Sequence, residues 1–285
     1  MRSILRTAPA RLIIFTVSLF ALLILLQTGA RLVTHAVQGA TRALLAVVLE
    51  LIVCAVMILA YRAEVRWLER RRADEIGAAG SVPPALGGLL LGAALFTAVY
   101  AVLWCAGAVT YAGPGSVTGA VTTAGLSAAA AVGEEIIFRG GVFRILQEWL
   151  GTTIAVAASA AFFGGLHLVN PGATLFGALA IALEAGVLLA VAYALTHRLW
   201  LAIGIHFGWN FTEGGIFGAA ISGGRHSAGL MNFTLSGPPL LTGGKFGPEA
   251  SVVALLLCLA VAVVLGYLTV KRGRWQPRVN PGLTT

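Results

Sequence analysis

The sequence has little charge. Only 11% of its 285 residues are Asp, Glu, Lys or Arg, whereas 58% are hydrophobic, and the mean hydropathy is +0.91. A soluble domain carries roughly 25% charged residues. The chain therefore lacks the polar surface that a globule in water needs, and the composition predicts an integral membrane protein with the lipid bilayer as its main partner.

Cysteine is also scarce. The three cysteines, Cys54, Cys105 and Cys258, are far apart in sequence, and none belongs to a C-x-x-C pair. Neither a disulfide framework nor a thiolate metal site is indicated. No H-E-x-x-H sequence occurs either, which argues against the usual zinc-protease helix. No clear A-x-A cleavage site follows the first apolar run, so we expect that run to remain as an anchor.

Long apolar runs, by contrast, recur along almost the whole chain. A run of about 18 or more apolar residues predicts a membrane-spanning helix. The sequence thus predicts an all-α polytopic transmembrane bundle of about eight spanning helices, the fourth of which should extend to about Trp149. The eight ranges are 12–30, 43–61, 85–109, 117–138, 152–169, 173–195, 199–220 and 250–270.

Positive charge lies mostly on one side of these helices. Fifteen of the nineteen Lys and Arg residues, among them Arg2 and Arg6, are predicted on the same side of the membrane. The four predicted on the opposite side are Arg31, Arg42, Arg225 and Lys245. The positive-inside rule then predicts that both termini are cytoplasmic, most simply in the plasma membrane. A basic rim on an anionic leaflet accounts for the net charge of +8, so no nucleic-acid partner is expected.

Three regions follow from the distribution of polar side chains. Residues 1–110 are expected to be scaffold helices, 115–220 a functional core, and 221–285 an outer loop, a last spanning helix and a basic tail disordered beyond Lys271. Two further acidic residues, Glu50 and Glu184, lie inside apolar runs, where a carboxylate is costly unless it is paired or faces a cavity. They belong to no motif and receive no role.

The first group of chemically competent residues is GEEIIFRG at 133–140. Glu135 and Arg139 are spaced i, i+4 with the acid first, the favourable orientation for an ion pair. Glu134 points about 100° away around the helix and has no local cation. A carboxylate without a partner in a medium of low dielectric suits a general base that accepts a proton from water.

Two further groups lie on later helices. Phe163 and His167 are four residues apart near the end of one span, and His206 and Asn210 are one turn apart on the same face of another. A single buried histidine is usually structural. Two histidines, an amide and a free carboxylate on three separate helices favour a functional site instead.

These motifs resemble the signature of the CPBP intramembrane proteases, a family that includes CAAX prenyl endopeptidases and bacteriocin-processing or immunity proteins. The family pattern is E-E-x-x-x-R, F-x-x-x-H and H-x-x-x-N or D on successive helices. The sequence matches it in order and spacing over about 115–220. The matching residues are Glu134, Glu135, Arg139, Phe163, His167, His206 and Asn210.

The resemblance implies an endopeptidase that cuts a peptide or a prenylated protein at the membrane. Glu134 would activate water, and Glu135 with Arg139 would hold the helix. His167, His206 and Asn210 would bind a divalent metal such as Zn or hydrogen-bond the water and the oxyanion. Two histidines with an amide form a poorer zinc set than three histidines, so metal-dependent and metal-free mechanisms both stay open. The alternative is a non-catalytic transport or immunity protein that binds an ion or ligand in the same cluster.

Overall fold

The computed structural model describes residues 7–38, 40–224 and 228–278, so Arg2, Arg6 and Arg225 of the charge argument lie outside the described residues. Within them the chain is helical apart from one short hairpin. The principal elements are α1 Ala8–His35, α2 Ala40–Glu64, α3 Val82–Cys105, β1 Val109–Pro114, α4 Val117–Glu135, α5 Arg144–Leu150, α6 Thr152–Leu166, α7 Leu175–Ile181, α8 Val187–Thr196, α9 Leu199–Asn210, β2 Met231–Leu235, α10 Pro239–Thr242 and α11 Val252–Lys271.

Several of these helices are joined through π-helical turns rather than loops. Ile136–Phe143 connects α4 to α5, Ala182–Gly186 connects α7 to α8, and Phe211–Ile216 extends α9. The helix that begins at α4 is therefore continuous to Leu150, as the sequence predicts. The other two π-helical segments place carboxylates and free carbonyls inside the bundle.

In the described part of the chain, seven helices are long and apolar enough to cross a membrane. The predicted all-α polytopic bundle is thus confirmed, but one of the eight predicted ranges, 199–220, does not reach this apolarity. The reason is local, because His206, Asn210 and Glu213 lie within the helical stretch 199–216. These side chains are buried in protein, so this helix does not need an apolar surface toward lipid.

The helix from Leu199 nevertheless traverses the bundle beside α3. Near their starts, Trp200 donates its indole N–H to the Gly77 carbonyl at 2.8 Å, in the segment that leads into α3. Beyond their ends, β1 and β2 form a two-stranded antiparallel sheet. The two helices therefore run parallel between the same two faces. The sheet itself was not predicted, since its first strand lies in the short connection between the predicted spans 85–109 and 117–138.

Close approach of α3 to α9 depends on glycine. A Cβ on Gly92 would lie 2.1 Å from the Ile205 carbonyl oxygen, and one on Gly208 would lie 2.2 Å from the Leu89 carbonyl oxygen. Such distances leave no room for any side chain, so the two backbones are in direct contact. Small residues spaced by four allow this packing in membranes, where no hydrophobic effect drives helices together.

Both ends of the described chain lie on one face of the bundle. The Arg11 guanidinium is 3.0 Å from the Glu69 carboxylate at the end of α2. At the other end, Thr152 donates its backbone N–H to the Gln276 carbonyl at 3.0 Å. The expectation of disorder beyond Lys271 is wrong for 272–278, because this stretch is hydrogen-bonded to the start of α6. Residues 279–285 lie outside the described residues.

The glycine contact makes a testable prediction. Gly92→Val should lower the folded yield and the midpoint of thermal unfolding in detergent, because overpacking costs about 1–3 kcal/mol or more where backbone must move. Gly87→Val is the matched control on the same helix, since a Cβ there meets nothing within 4 Å. Equal unfolding midpoints for the two variants would contradict the close packing of α3 and α9.

Candidate active site

Glu134 and Glu135 are the last two residues of α4. Glu135 is fully buried and accepts a hydrogen bond from Arg139 at 2.9 Å, so the predicted ion pair is present. Arg139 also donates to the carbonyl oxygens of Ala185 and Gly186, at 3.0 and 3.2 Å. Those carbonyls end the π-helical turn Ala182–Gly186, where the change of register leaves acceptors available. One guanidinium thus ties α4 to the α7–α8 helix.

Phe163 supports the same cation from α6. The Arg139 guanidinium carbon lies 4.8 Å from the centre of the Phe163 ring, within the range of a cation–π interaction. The Phe163 ring is also 4.7 Å from the ring of His167 and 6.4 Å from that of His206. This phenylalanine therefore spaces the two imidazoles on the apolar side of the site.

His206 is oriented by Glu135. Its Nδ1 lies 2.9 Å from Glu135 Oε1, and because a carboxylate can only accept, Nδ1 carries the proton. The other ring nitrogen, Nε2, then faces Glu134, whose Oε2 is 4.0 Å away. A single carboxylate thus binds both Arg139 and His206, and it fixes the tautomer of the imidazole.

Glu134 differs from its neighbour in its access to water. Its side chain is 28% exposed, whereas that of Glu135 is completely buried. Among the described residues, the buried Oε2 atoms of both side chains have no hydrogen-bond partner, but Oε1 of Glu135 binds Arg139 and His206. One carboxylate is therefore committed to structure and the other is available to a molecule that enters from solvent.

His167 lies just past the end of α6. Its Nδ1 is 2.7 Å from the Phe163 carbonyl oxygen, so Nδ1 donates and Nε2 is left unprotonated. In their neutral forms both histidines consequently have only Nε2, a hydrogen-bond acceptor, available to other molecules.

The imidazoles meet at a cavity of about 40 Å³. His167, His206 and Asn210 line it together with Trp209 and Ser222. A cavity of this size has room for ordered water, because one water needs about 10–15 Å³. Glu134 is not part of the wall and lies beside the cavity, next to His206.

Two loops close the cavity on the face that carries the sheet. Asn170 donates its amide to the Ser222 carbonyl at 2.7 Å, and the Gly172 N–H donates to the Gly223 carbonyl at 2.8 Å. Ser222 itself has a φ of +49°, an uncommon conformation for a residue other than glycine. The bond from Asn170 helps to hold it there.

Three acidic residues adjoin this cavity. Glu184 and Glu249 line the wall, and Glu213 lies against Glu249. The sequence analysis assigned no role to Glu184 and missed the other two. Glu213 could have been recognised as a carboxylate in an apolar helix. Glu249 gave no such signal, because it lies in a segment expected to be outer loop or helix start.

The other unassigned acid, Glu50, has a structural partner. It is buried and accepts a hydrogen bond from the Gln27 amide at 2.8 Å. The bond joins α2 to α1, so this carboxylate serves the packing of the first two helices.

The residues do not form a standard zinc site. Within the described ranges, no group of three or more His, Cys, Asp or Glu side chains is arranged to hold a metal ion. Two imidazoles and the amide of Asn210 are also a weaker donor set than three histidines.

Fold and site together define a polytopic membrane protein whose interior holds a carboxylate–imidazole centre. A family model described as Type II CAAX prenyl endopeptidase Rce1-like matches residues 115–212, about a third of the chain. This match confirms the resemblance to the CPBP family and supports a CAAX-type endopeptidase. Searches of curated proteins and of solved structures each found no match.

The buried ion pair makes a second prediction. Arg139→Ala leaves a fully buried carboxylate with His206 as its remaining partner, and breaking a buried pair costs about 3–5 kcal/mol. We expect a clear fall in folded yield and in the unfolding midpoint. Arg72→Ala is the control, because the Arg72–Asp74 pair is 90% and 83% exposed and such pairs are worth about 0–1 kcal/mol. A normal midpoint for Arg139→Ala would remove the structural role of the pair.

Proposed function

We propose that the protein is an intramembrane endopeptidase in which Glu134 activates water to hydrolyse a peptide bond. The observation that supports this best is the position of Glu134, whose side chain is 28% exposed and whose unpartnered Oε2 lies 4.0 Å from Nε2 of His206, beside a cavity lined by His167, His206 and Asn210. The match to the Rce1-like family over 115–212 supports the same reaction class.

The chemistry begins with a water held between Glu134 and the two imidazoles. The carboxylate of Glu134 takes one proton from the water as the water oxygen attacks the peptide carbonyl. The other hydrogen of the same water makes a hydrogen bond to Nε2 of His206 or His167. Positioned general bases of this kind contribute about 10²–10⁴-fold to the rate.

The oxyanion that forms needs hydrogen-bond donors. Nδ1 of each histidine already donates a hydrogen bond elsewhere, so the neutral imidazoles have no donor at Nε2. The side-chain amide of Asn210 is a donor, and Asn210 lines the cavity. We therefore assign Asn210 to the oxyanion and the two histidines to the water.

Glu135 and Arg139 are positioning residues. Glu135 holds the proton of His206 on Nδ1, and Arg139 keeps Glu135 ionised and attached to the α7–α8 helix. Outer-shell partners of this kind orient the groups that touch the substrate.

A divalent metal is the alternative to direct hydrogen bonding. Zn²⁺ would be held by Nε2 of His167, Nε2 of His206 and the Asn210 amide oxygen, and it would supply Lewis-acid activation of the carbonyl. Elemental analysis of purified active protein distinguishes the two schemes, because stoichiometric metal that chelation removes together with activity would support the metal scheme.

The substrate class that we propose is a membrane-associated peptide or protein, prenylated or not, entering from the bilayer or its surface. A non-catalytic membrane protein that binds an ion or ligand is the second candidate. It is favoured by the small size of the cavity, about 40 Å³. Binding without turnover would be its signature.

Orientation in the membrane is a separate prediction. We propose that the face carrying Arg11 and Gln276 is cytoplasmic, because basic residues concentrate there and positive charge is retained inside. A reporter that is active only in the cytoplasm should work when it is fused after Thr285, and one fused within the loop around residue 237 should fail. The opposite result would invert the topology.

The catalytic prediction rests on Glu134. Glu134→Gln keeps the shape of the side chain but cannot accept a proton, so peptide turnover should fall about 10²–10⁴-fold while the protein stays folded in membranes. Peptide turnover should fall to a similar extent in His167→Ala and in His206→Ala, and it should fall less in Asn210→Ala. Because these groups act as a unit, Glu134→Gln/His206→Ala should be little worse than either single variant.

Glu148→Gln is the matched control for Glu134→Gln. The Glu148 side chain is 44% exposed and pairs with Arg11 and Arg144, far along the same continuous helix. Parent-like turnover of Glu134→Gln on a substrate that the parent cleaves would show the glutamate-base mechanism to be wrong.

A further inference from the structure

The acidic residues beside the cavity have no basic partner. Glu184, Glu213 and Glu249 are 2%, 0% and 1% exposed, and within the described residues none of them forms an ion pair. Both oxygens of Glu213, Oε1 of Glu249 and Oε2 of Glu184 lack a hydrogen-bond donor in the same part of the chain. A buried carboxylate without a cation is neutralised by taking up a proton.

Glu213 and Glu249 are a special case, because their carboxyl groups lie within hydrogen-bonding reach of each other. Two ionised carboxylates at that separation repel, whereas one proton between them makes a hydrogen bond. The pair therefore holds at least one proton, as carboxyl pairs in other enzymes do.

The proposed hydrolysis needs a proton donor for its second half, and the proton that Glu134 has taken up is held beside the cavity rather than in its wall. When the tetrahedral intermediate collapses, the leaving nitrogen must be protonated to depart as an amine. The neutral histidines offer acceptors to the cavity, and Asn210 is assigned to the oxyanion. A carboxylic acid in the cavity wall would meet the need.

We infer that Glu249 is a catalytic general acid, which gives its proton to the leaving nitrogen of the scissile peptide bond. The inference rests on the proposed hydrolase function. The water proton goes to Glu134, the carbon–nitrogen bond breaks as the Glu249 proton passes to nitrogen, and the products are a carboxylic acid and an amine. The Glu134 proton then returns to the Glu249 carboxylate through Glu213 or cavity water, so no oxidant, reductant or further reactant is required.

Glu249 is better placed for this role than Glu184, although both line the cavity. Glu249 interacts electrostatically with His167 and contacts the Ser222 side chain, and Glu213 behind it can resupply the proton. The interactions of Glu184 are with Glu249, Glu213 and the Cys258 thiol.

The surroundings keep Glu249 in its acid form. Burial raises the pKa of the Glu249 carboxyl, and the groups that face it are Glu213, Glu184, His167 and the Cys258 thiol. The acid form is present below the raised pKa and is lost as the pH rises through it.

The experiment compares two leaving groups on one acyl peptide. One substrate carries the natural amide bond, and the other is a 4-nitrophenyl ester, whose phenolate departs without a proton. Glu249→Gln should lower kcat/KM for the amide about 10²–10⁴-fold and leave the ester near the parent value. Glu184→Gln, equally buried in the same wall, is the matched control and should keep the amide-to-ester ratio of the parent.

The outcomes separate this inference from the proposed function. Glu134→Gln should lose both substrates, and its full activity would overturn the hydrolytic scheme whatever Glu249→Gln does. If Glu249→Gln loses both substrates equally, or neither, Glu249 is not the general acid. If Glu249→Gln does not fold, Glu249→Asp retains the acid on a shorter stem. Its amide-to-ester ratio should then fall, and an unchanged ratio would overturn the assignment.

Discussion

The structure depends above all on one buried carboxylate. Glu135 is removed from solvent and bonded at once to Arg139 and to His206, both through Oε1 at 2.9 Å. An isolated charge at this depth would be prohibitively costly, and the Arg139 cation is what makes it tolerable. The same contact draws α4, α9 and the α7–α8 helix to one point and sets the proton of the imidazole. The Glu135 carboxylate therefore supports the packing of the helices and also fixes the proton of His206 on Nδ1.

Two further networks fix the helix that carries this carboxylate. On the face with the chain ends, Arg144 donates to Glu69 at 2.7 Å and to Glu148 at 2.8 Å, which anchors α5 to the end of α2. Tyr61 donates to Glu75 and lies 3.0 Å from the Gly140 carbonyl in the π-helical segment. Burial raises the pKa of Glu75, but hydrogen bonds from Arg71 and Tyr61 outweigh it and hold that pKa below its usual value. The continuous helix is thus held on the C-terminal side of Glu135.

The opposite side of the cavity has a different electrostatic character. There Glu213 and Glu249 lie against each other without a basic partner among the described residues, whereas Glu135 is paired with Arg139. The carboxyl groups on the two sides of the site therefore have different electrostatic surroundings. A difference of this kind allows one site to run acid and base chemistry together.

Hydropathy and spacing by themselves determined the membrane class, most of the spanning helices, the Glu135–Arg139 ion pair and the resemblance to the CPBP family, because each depends on residues within one helix or on short motifs in order. The helix at 199–216 was found as well, although its His206 and Glu213 keep it below the apolarity of a lipid-facing span.

What only the tertiary structure decided were the contacts between distant segments. The hydrogen bond that His206 donates to Glu135 joins residues 71 apart in sequence. The β1–β2 pairing joins strands more than 100 residues apart, and Glu249 lines the cavity from a segment that follows the outer loop. No local periodicity encodes such pairings, since they arise only when packing brings the helices together. The sequence identified the chemical groups, and the packing of the helices determined which of them lie together.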